Sequence, residues 1–476
     1  MANEELAIRT VVERVVGELA STGEATTRQA PPAFDGRGIL ETVDDAVQAA
    51  WTSQRELIGS SLELRKRIIQ AMRLAALENA RSLAEQAVEE TGLGRVEDKV
   101  QKNILVAERT PGTEDLRPVA FSGDHGLTLV ERAPYGVIGS ITPSTNPSET
   151  IINNAISMVA GGNAVVFNPH PGARVVSLTT INILNRAISE AGGPRALLYA
   201  VSDPSIDTAQ ALMQHPDINL LVVTGGPAVV RAAMESGKKV IAAGPGNPPV
   251  VVDETADVDQ AARDIIAGAS FDNNIVCIAE KEIIAVRAVA DRLRNALTAA
   301  GAFEVRGQAI DRLTGANLGE KRGAGHTSPL KRHLVGKDAA LVLAEAGLSC
   351  PDGTRLAFFV ADVDHPLVWT EQMMPVIPMI IVESAIEAIE LAKRVERSNR
   401  HTAVMHSKNI EHLSRMARAM DCSIFVKNGP SFAGLGFGGE GFTTFTIASP
   451  TGEGLTSART FTRERRCTLV DYFRIV

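Results

Sequence analysis

Between residues 137 and 237 the sequence repeats one pattern four times, a short apolar run followed by an amphipathic helical segment. The apolar runs are 137-VIGSITP, 164-AVVFNPH, 197-LLYAVS and 218-INLLVVTGG, and each precedes a segment with helical spacing. Parallel strands need a crossover connection, and a helix is the usual one, so this alternation indicates βαβ units. The segment is therefore predicted to form a parallel sheet with helices on its faces.

A second α/β region begins near residue 249. It is predicted to contain a helix over 286–301 and strands near 357, 376 and 424. Aromatic residues make up only 4% of the chain, so Val, Ile, Leu and Ala must fill the core, which suits parallel sheets. The fold class predicted from the sequence is α/β, with a hairpin over 119–133, a strand over 461–476 and one long helical run over 65–94.

The first residues stand apart from this body. Apolar residues recur at helical spacing over residues 1–19, with charged residues between them, and residues 20–38 lack periodicity and contain a Pro-Pro pair. The acidic start and the absence of a continuous apolar stretch argue against a secretory signal. Two interpretations stay open on the pattern alone: a helix that folds back on its own domain, or a helix that docks on another protein.

Charge and cysteine content exclude several classes of protein. The chain has 48 basic and 56 acidic residues, a net charge of −8, which argues against a nucleic-acid groove and against binding to an anionic membrane surface. No apolar run is long enough for a spanning helix. The four cysteines form no CxxC pair, which fits a reducing compartment, and the histidines have no partners at metal-ligand spacing, so we expect no metal site.

Two residues could carry chemistry. Cys277 follows a helical segment in 271-FDNNIVCIAEKE, where Asp-Asn-Asn breaks regular structure and could hold a thiol at a cleft. Asn146 lies where a strand gives way to a helix, a place from which an amide can donate to an oxyanion. A core cysteine and an Asx turn are the alternatives, and on residues alone they stay open.

Two further strand ends, 167-FNPHP and 224-TGGP, are polar. Glycines before a helix let a phosphate or a ribose approach the backbone N–H groups, although this signal is weak by itself. The chain has one G-x-G-x-x-G match, at Gly434, Gly436 and Gly439. We reject it as a dinucleotide fingerprint, because the sequence after it predicts a strand or a loop and no helix.

Taken in order, the motifs ITPSTNP, VVFNPHP, VVTGGPAVV, AAGPGNPP, FDNNIVCIAE and EQMMPVIP resemble the aldehyde dehydrogenase family over residues 40–476. The segment that begins 438-GGEGFTTFTIASPTGEG resembles the CoA-acylating branch, the propionaldehyde dehydrogenases of bacterial microcompartments and their acetaldehyde-using relatives. The resemblance implies an aldehyde dehydrogenase-like fold with a Rossmann-type cofactor domain, an α/β catalytic domain and a small β oligomerisation element.

The resemblance also assigns roles to residues. Cys277 matches the nucleophile, and Asn146 matches the amide donor of the oxyanion hole, whose other donor is the backbone N–H of Cys277. Glu371 matches the carboxylate that holds the nicotinamide ribose. The positions that match the rest of the NAD site are Thr142, Pro143, Asn168, His170, Thr224, Gly225, Gly226, Ala243 and Gly244.

One departure bears on the reaction. Hydrolytic relatives carry a glutamate that activates water, and here Ala242 occupies that position. Without a general base, water attacks a thioester slowly, whereas a thiolate needs less help. The sequence thus predicts oxidation of a short-chain aldehyde, propionaldehyde first, by NAD, with transfer of the acyl group from Cys277 to coenzyme A. His401 is a candidate for deprotonating the CoA thiol. The alternatives are an acetaldehyde-preferring enzyme, a hydrolytic dehydrogenase and a weakly active cargo protein.

The resemblance divides the chain and suggests its partners. Residues 39–118 and 134–248 match the NAD-binding domain, 249–440 the catalytic domain, and 119–133 with 441–476 the oligomerisation element of a dimer or tetramer. Residues 1–19 resemble an encapsulation peptide bound by shell proteins. These expectations place the protein in the cytoplasm, inside a bacterial microcompartment.

Overall fold

The computed structural model describes residues 37–476, so the predicted helix over 1–19 and nearly all of the predicted linker lie outside the described residues. The helices are α1 (Val43–Gly59), α2 (Leu62–Glu78), α3 (Ala80–Thr91), α4 (Val96–Arg109), α5 (Pro147–Ala160), α6 (Arg174–Glu190), α7 (Ile206–Gln214), α8 (Pro227–Met234), α9 (Val258–Ser270), α10 (Arg287–Ala299), α11 (Gln308–Asn317), α12 (Ala339–Glu345), α13 (Ala385–Glu396) and α14 (Ile410–Met420). Among these described residues, no helix has both the length and the apolar character to cross a membrane.

The strands confirm the predicted alternation. They are β1 (Ile39–Leu40), β2 (Val119–Gly123), β3 (Gly126–Pro134), β4 (Val137–Thr142), β5 (Ala164–Pro169), β6 (Leu198–Val201), β7 (Leu220–Thr224), β8 (Val240–Ala243), β9 (Pro249–Val252), β10 (Glu282–Val286), β11 (Phe303–Glu304), β12 (Ala357–Val360), β13 (Val376–Val382), β14 (Thr402–His406), β15 (Ile424–Lys427), β16 (Ile447–Ala448), β17 (Gly454–Leu455) and β18 (Thr462–Val470).

Two parallel sheets organise the chain. The first has the order β1-β6-β5-β4-β7-β8 and the second the order β11-β12-β13-β10-β9-β14-β15. Strands β4 and β5 are buried along their whole length, as expected of parallel strands covered by helices on both faces. In the first sheet β5 lies on one side of β4 and β7 on the other. The strand order therefore reverses at β4, and ligands of open α/β sheets bind beside such a switch point, at the carboxyl ends of the strands.

The predicted hairpin is present as β2 and β3, and β18 pairs with β3 to complete a three-stranded antiparallel sheet. The prediction of a strand over 461–476 was too long, because β18 ends at Val470. The next residue, Asp471, has a φ of 63°, a left-handed conformation that cannot continue a strand.

The helical run predicted over 65–94 is also divided. It breaks between α2 and α3 at Asn79, whose ψ is 8° and whose side chain donates to the carbonyl of Ala75. An amide side chain that competes for backbone groups favours such a break. The second helix ends at Gly92, whose φ of 66° is a left-handed cap, as the sequence predicted.

Candidate active site

The segment that carries Cys277 begins with a strained turn. After α9 the chain forms a short turn over Phe271–Asn274, in which Asp272, Asn273 and Asn274 all have left-handed backbone angles, with φ values of 47°, 53° and 67°. Such conformations cost about 1–3 kcal/mol each in non-glycine residues and persist only where surrounding contacts impose them. The Asp-Asn-Asn sequence breaks regular structure just where the sequence analysis expected it to.

Side-chain hydrogen bonds impose this turn. Asp272 Oδ1 accepts from the backbone N–H of Arg95 at 2.7 Å. Asn273 Nδ2 donates to the carbonyl of Gly336 at 2.9 Å, and Asn274 Nδ2 donates to the carbonyl of Ala269 at 2.7 Å. Each of the three strained residues is thus tied to a different part of the chain, and the backbone that leads to Cys277 is held from three sides.

Cys277 is half-buried, and its thiol is not activated in this state. Burial, and the nearby carboxylate of Glu371, raise the pKa of the Cys277 thiol to about 12, although the Lys281 ammonium opposes this. Glu371 in turn accepts a hydrogen bond from the backbone N–H of Gly246. A cation that bound beside the thiol and the Glu371 carboxylate would favour the thiolate.

Gly246 brings Cys277 and His401 together. A Cβ atom at Gly246 would lie 2.5 Å from the carbonyl oxygen of Cys277 and 3.2 Å from the Cγ of His401. Only glycine permits this approach, because any side chain here would collide with the backbone of the nucleophile segment. The predicted nucleophile and the predicted base for CoA therefore flank the same residue.

His401 is fully buried and uncharged. Its backbone N–H donates to Glu396 Oε1 at 2.9 Å, and its Nδ1 lies 2.9 Å from Thr402 Oγ1. Its Nε2 has no hydrogen-bond partner. Burial, with a contribution from Lys281, lowers the pKa of His401 to about 4, so the ring is neutral at physiological pH. A neutral imidazole with a free nitrogen can accept a proton from a bound ligand.

Asn146 precedes α5 and is buried. Its Oδ1 accepts from the ammonium of Lys102 at 2.6 Å, and its Nδ2 contacts Thr145 Oγ1 at 3.2 Å. Lys102 also pairs with Asp272 at 2.6 Å, and Asp272 belongs to the turn before Cys277. The structure thus connects the two residues of the predicted oxyanion hole through one buried ammonium.

The predicted dinucleotide residues lie at the switch point of the first sheet. Thr142 ends β4 and Thr224 ends the neighbouring β7, and the hydroxyls of both are buried without a hydrogen-bond partner. The backbone N–H of Gly225 donates to the carbonyl of Ala243 at 3.3 Å, which joins two more of the predicted positions. A Cβ atom at Gly226 would meet nothing within 4 Å, so the backbone there is open to a ligand. These features fit a dinucleotide.

Three other predicted residues of this site are engaged within the protein. Asn168 accepts from Thr208 Oγ1 at 2.7 Å, and His170 Nδ1 accepts from the backbone N–H of Gly172 at 3.0 Å. A Cβ atom at Gly244 would lie 2.8 Å from the ring of Pro450. Pro143 follows Thr142 directly. At this edge of the sheet the hydroxyls without a partner in the protein are those of Thr142 and Thr224.

Ala242, which the sequence analysis matched to the water-activating glutamate of hydrolytic relatives, is fully buried in β8. Its backbone N–H donates to Thr451 Oγ1 at 3.0 Å. The methyl side chain offers no proton acceptor, so this position cannot activate water.

A cavity of about 350 Å³ borders the nucleophile segment. Phe271 of the strained turn lines it together with Phe432 and Phe437, whose ring centroids lie 5.2 and 6.0 Å from that of Phe271. Arg263 and Arg355 also line it. An apolar cavity with a charged rim admits a small organic molecule. Sequence analysis did not find this cavity, because its walls come from distant segments.

Sequence analysis also missed three fully buried lysines, Lys99, Lys102 and Lys281. The first two lie on α4 on the same face as the buried Asn103 and Val106. Lysines on the buried face of a helix are a sequence signal for a buried ionic cluster, and this signal could have been recognised from the spacing of Lys99, Lys102 and Val106. Lys281 follows Cys277 by four residues in an irregular segment, where no periodicity marks a side chain as inward.

Two negative predictions concern other residues. No helix follows Gly439, which agrees with the rejection of the G-x-G-x-x-G match. For metals, the described part of the chain brings Asp253, Glu254 and His412 close together, although Asp253 Oδ2 accepts from Ser407 at 2.6 Å and lies 2.8 Å from His412 Nδ1. The protein's own hydrogen bonds account for this group, and the expectation of no metal stays a prediction.

Comparison with known proteins places the chain among its relatives. The model of the aldehyde dehydrogenase family matches residues 37–453. An acetylating acetaldehyde dehydrogenase of Bilophila wadsworthia is 52% identical, over 98% of this chain and 99% of the relative. A CoA-propanoylating propanal dehydrogenase of Citrobacter freundii is 46% identical, also over 98% of this chain and 99% of the relative.

Solved structures agree. The propionaldehyde dehydrogenase of Rhodopseudomonas palustris, with bound CoA and an acylated cysteine, is 48% identical with a TM-score of 0.89, over 92% of this chain and 99% of that one. A propionaldehyde dehydrogenase from the fucose utilisation microcompartment of Clostridium phytofermentans gives the same TM-score and identity, over 92% of this chain and 100% of that one. An engineered glycolyl-CoA reductase with bound NADP+ is 47% identical with a TM-score of 0.90, over 94% of this chain and 100% of that one. The predicted family and α/β fold are confirmed.

Proposed function

The chain belongs to the aldehyde dehydrogenase family, and we propose that it catalyses the NAD-dependent, CoA-acylating oxidation of a short-chain aldehyde. The observation that carries this proposal is the arrangement around Gly246, which lies against both the backbone carbonyl of Cys277 and the ring of the neutral His401. A thiol nucleophile and a neutral imidazole in one region of the fold suit two successive thiol reactions, one on the protein and one on CoA. The acetylating and propanoylating relatives, and a neighbour with an acylated cysteine, support the same chemistry.

In the first half-reaction the Cys277 thiolate adds to the aldehyde carbon, and the carbonyl oxygen becomes an alkoxide. Asn146 Nδ2 and the backbone N–H of Cys277 donate to that oxygen. One such donor is typically worth about 10²–10³ in rate, because its dipole is fixed before charge develops. Expulsion of hydride from the same carbon then leaves a thioester on Cys277.

NAD+, when bound, supplies the acceptor for that hydride. Thr142 and Thr224, whose hydroxyls lack partners within the protein, are proposed to bind it, with the open backbone at Gly226 and the neighbouring Gly225. The Glu371 carboxylate is proposed to hold the ribose next to the nicotinamide. Its backbone partner Gly246 keeps it beside Cys277.

In the second half-reaction the CoA thiolate attacks the thioester carbon, and the Cys277 thiolate leaves. His401 Nε2 is proposed to take the CoA proton, since the ring is neutral and this nitrogen is free. Water competes poorly, because Ala242 provides no base. This argues against the hydrolytic alternative, and an intact Cys277–Asn146 pair argues against a weakly active cargo protein.

We propose a short aldehyde of two or three carbons as the substrate. One methylene changes binding in an apolar pocket by only about 1–3 kcal/mol, so acetaldehyde and propionaldehyde differ in degree. The relatives include enzymes named for each. We retain propionaldehyde as the first choice.

The proposed partners are shell proteins and further copies of the chain. A microcompartment relative supports encapsulation, with residues 1–19 as the docking segment on a linker over 20–38. The three-stranded sheet supports a dimer or tetramer, because Val119 and Phe121 of β2 are 50% and 59% exposed at a free strand edge. The domain boundaries expected from the sequence belong to this proposal.

One assay tests the function: NADH production from propanal and NAD+, with and without CoA. Turnover that requires CoA and yields propionyl-CoA supports the proposal, and CoA-independent turnover to propionate contradicts it. A chain that lacks residues 1–19 is expected to keep this activity and to lose co-purification with shell proteins. Loss of both would assign the segment to the fold.

A further inference from the structure

We propose that Lys102 is a positioning residue that sets the direction and strength of the Asn146 hydrogen bond to the oxyanion. The proposal rests on the proposed function, in which Asn146 is that donor. The observation behind it is that the buried Lys102 ammonium binds both Asn146, the first proposed donor, and Asp272 in the turn that leads to the second donor, the Cys277 N–H.

The Lys102 ammonium forms two hydrogen bonds, to Asn146 and Asp272, and an ion pair with Glu149. Its Nζ lies 2.6 Å from Asn146 Oδ1, 2.6 Å from Asp272 Oδ2 and 2.8 Å from Glu149 Oε1. The side chains of Lys102, Asp272 and Glu149 are completely buried. Burial alone would lower the pKa of Lys102, but the two carboxylates outweigh it and raise the pKa, so the side chain is charged.

A charged donor on Oδ1 fixes the Asn146 amide. The opposite rotamer would place the NH₂ group against an ammonium. Nδ2 is therefore held on the other side, where one proton is donated to Thr145 Oγ1 and the second can be donated to a ligand. A charge-assisted bond to the amide oxygen also withdraws electrons from the nitrogen, and this strengthens the Nδ2–H donor. Lys102 thus acts on both the orientation and the polarity of the amide.

The bond to Asp272 extends the effect to the second donor. Asp272 begins the left-handed turn that leads to the Cys277 backbone N–H. The ammonium therefore fixes the spacing between a donor just before α5 and a donor after α9. Helix α5 follows β4 of the first sheet, and α9 follows β9 of the second.

Lys99 offers a matched control within the same cluster. It is also fully buried and pairs with Asp272 Oδ2 at 3.1 Å, but its second bond is to the carbonyl of Thr145 at 2.8 Å and not to the Asn146 amide. Loss of either lysine removes one positive charge from Asp272. Only loss of Lys102 releases Asn146 Oδ1.

The test measures the acylation of Cys277 by p-nitrophenyl acetate in the full chain, without NAD or CoA. Attack of the thiolate on the ester carbon releases p-nitrophenolate and leaves a thioacetyl group. The burst rate, divided by the rate at which iodoacetamide alkylates Cys277 in the same variant, reports the oxyanion hole, because both reactions need the thiolate. We expect Asn146→Ala to slow the burst by about 10²–10³ and Lys102→Met by about tenfold or more. In the Asn146→Ala background Lys102→Met should slow the burst less than it does in wild type, because only its effect through Asp272 is left, whereas Lys99→Met should slow the burst equally in both backgrounds.

If Lys102→Met slows the burst by the same factor in wild type and in Asn146→Ala, the two residues act independently and the proposal is overturned. If Lys102→Met does not fold, Lys102→Met with Glu149→Gln keeps the cluster neutral and enters the same cycle. Wild-type protein that shows the burst but no CoA-dependent NADH formation overturns the proposed function, and the cycle still decides the role of Lys102. Wild-type protein without a burst, although Cys277 is free to alkylation, overturns the assignment of Asn146 and this proposal with it.

Discussion

The ammonium of Lys281 donates two hydrogen bonds to a single residue, Asn274, one to its carbonyl at 2.7 Å and one to its side-chain oxygen at 2.6 Å. Asn274 is the last of the three left-handed residues before Cys277. A buried lysine that follows the nucleophile therefore holds the turn that precedes it. The segment between the two is closed into a loop by this pair of bonds.

Lys281→Met is expected to destabilise the fold and loosen the thiol. It leaves two buried acceptors without a donor, at about 1–3 kcal/mol each. Urea unfolding should show the loss of stability, and the burst with p-nitrophenyl acetate should slow. Arg294→Met is the control: it removes a 2.7 Å bond to Glu304 on β11, the edge strand of the second sheet, and should leave the burst rate unchanged. Equal burst losses in both variants would contradict a local role.

The pKa of the Cys277 thiol, about 12 in the ligand-free protein, predicts slow alkylation at neutral pH. Only the thiolate reacts, so the rate of modification by iodoacetamide should rise about tenfold per pH unit between pH 7 and 10. Glu371→Gln removes a negative charge that disfavours the thiolate. It should lower the thiol pKa and speed alkylation at pH 8. Peptide mapping separates Cys277 from the other cysteines, and a rate plateau below pH 9 would refute the prediction.

His401→Gln should separate the two half-reactions. Without CoA, the variant should release the same NADH burst as wild type, because hydride leaves before CoA acts. With CoA, steady-state turnover should fall by about 10²–10⁴, the usual contribution of a general base. Stopped-flow absorbance measures both quantities. A variant that loses the burst as well would place His401 in the first half-reaction or in the fold.

Buried neutral histidines predict acid sensitivity. Burial lowers the pKa of His406 to about 4, below the value near 6.5 of an unfolded chain. Between these values the unfolded state binds a proton that the folded state does not. The contribution of this group to the free energy of unfolding is therefore fully present above pH 6.5. It decreases by about 1.4 kcal/mol for each unit by which the pH is lowered from 6.5 towards 4. Urea titrations of His406→Gln should show a shallower fall than wild type; identical slopes would contradict the prediction.

The edge strand offers a test of assembly. A double substitution, Val119→Glu with Phe121→Glu, places charges on the exposed positions of β2 and should reduce the mass measured by light scattering to that of a smaller species. The double substitution Ile58→Glu with Leu74→Glu, at exposed positions of α1 and α2, is the control. An unchanged mass in the first variant would place the interface elsewhere.

Sequence patterns predicted the elements better than the contacts among them. The strands predicted from the four alternations after residue 137 lie close to the observed ones, because a buried parallel strand has a short, continuous apolar sequence. The helix break at Asn79 was not predicted, since one side-chain amide that donates to a backbone carbonyl does not change the helical periodicity of the apolar residues. Cys277 and Asn146 were candidates from local signals. The Lys102 ammonium contacts both Asn146 and the turn before Cys277 because α4 packs beside the two segments. Only the tertiary structure determines this packing.

The three-stranded sheet has a consequence for how the chain is made. Strands β2 and β3 are neighbours in sequence and can pair as soon as they leave the ribosome, but β18 joins β3 through residues such as Thr128 and Thr468, which are 340 positions apart. Throughout the synthesis of the residues between them, the far edge of β3 is a vacant strand edge inside a growing polypeptide. Several nascent chains on one messenger RNA expose this unpaired edge close to one another. The time that translation takes, and the chaperones that bind meanwhile, therefore govern whether β3 pairs with a neighbouring chain before its own β18 is made.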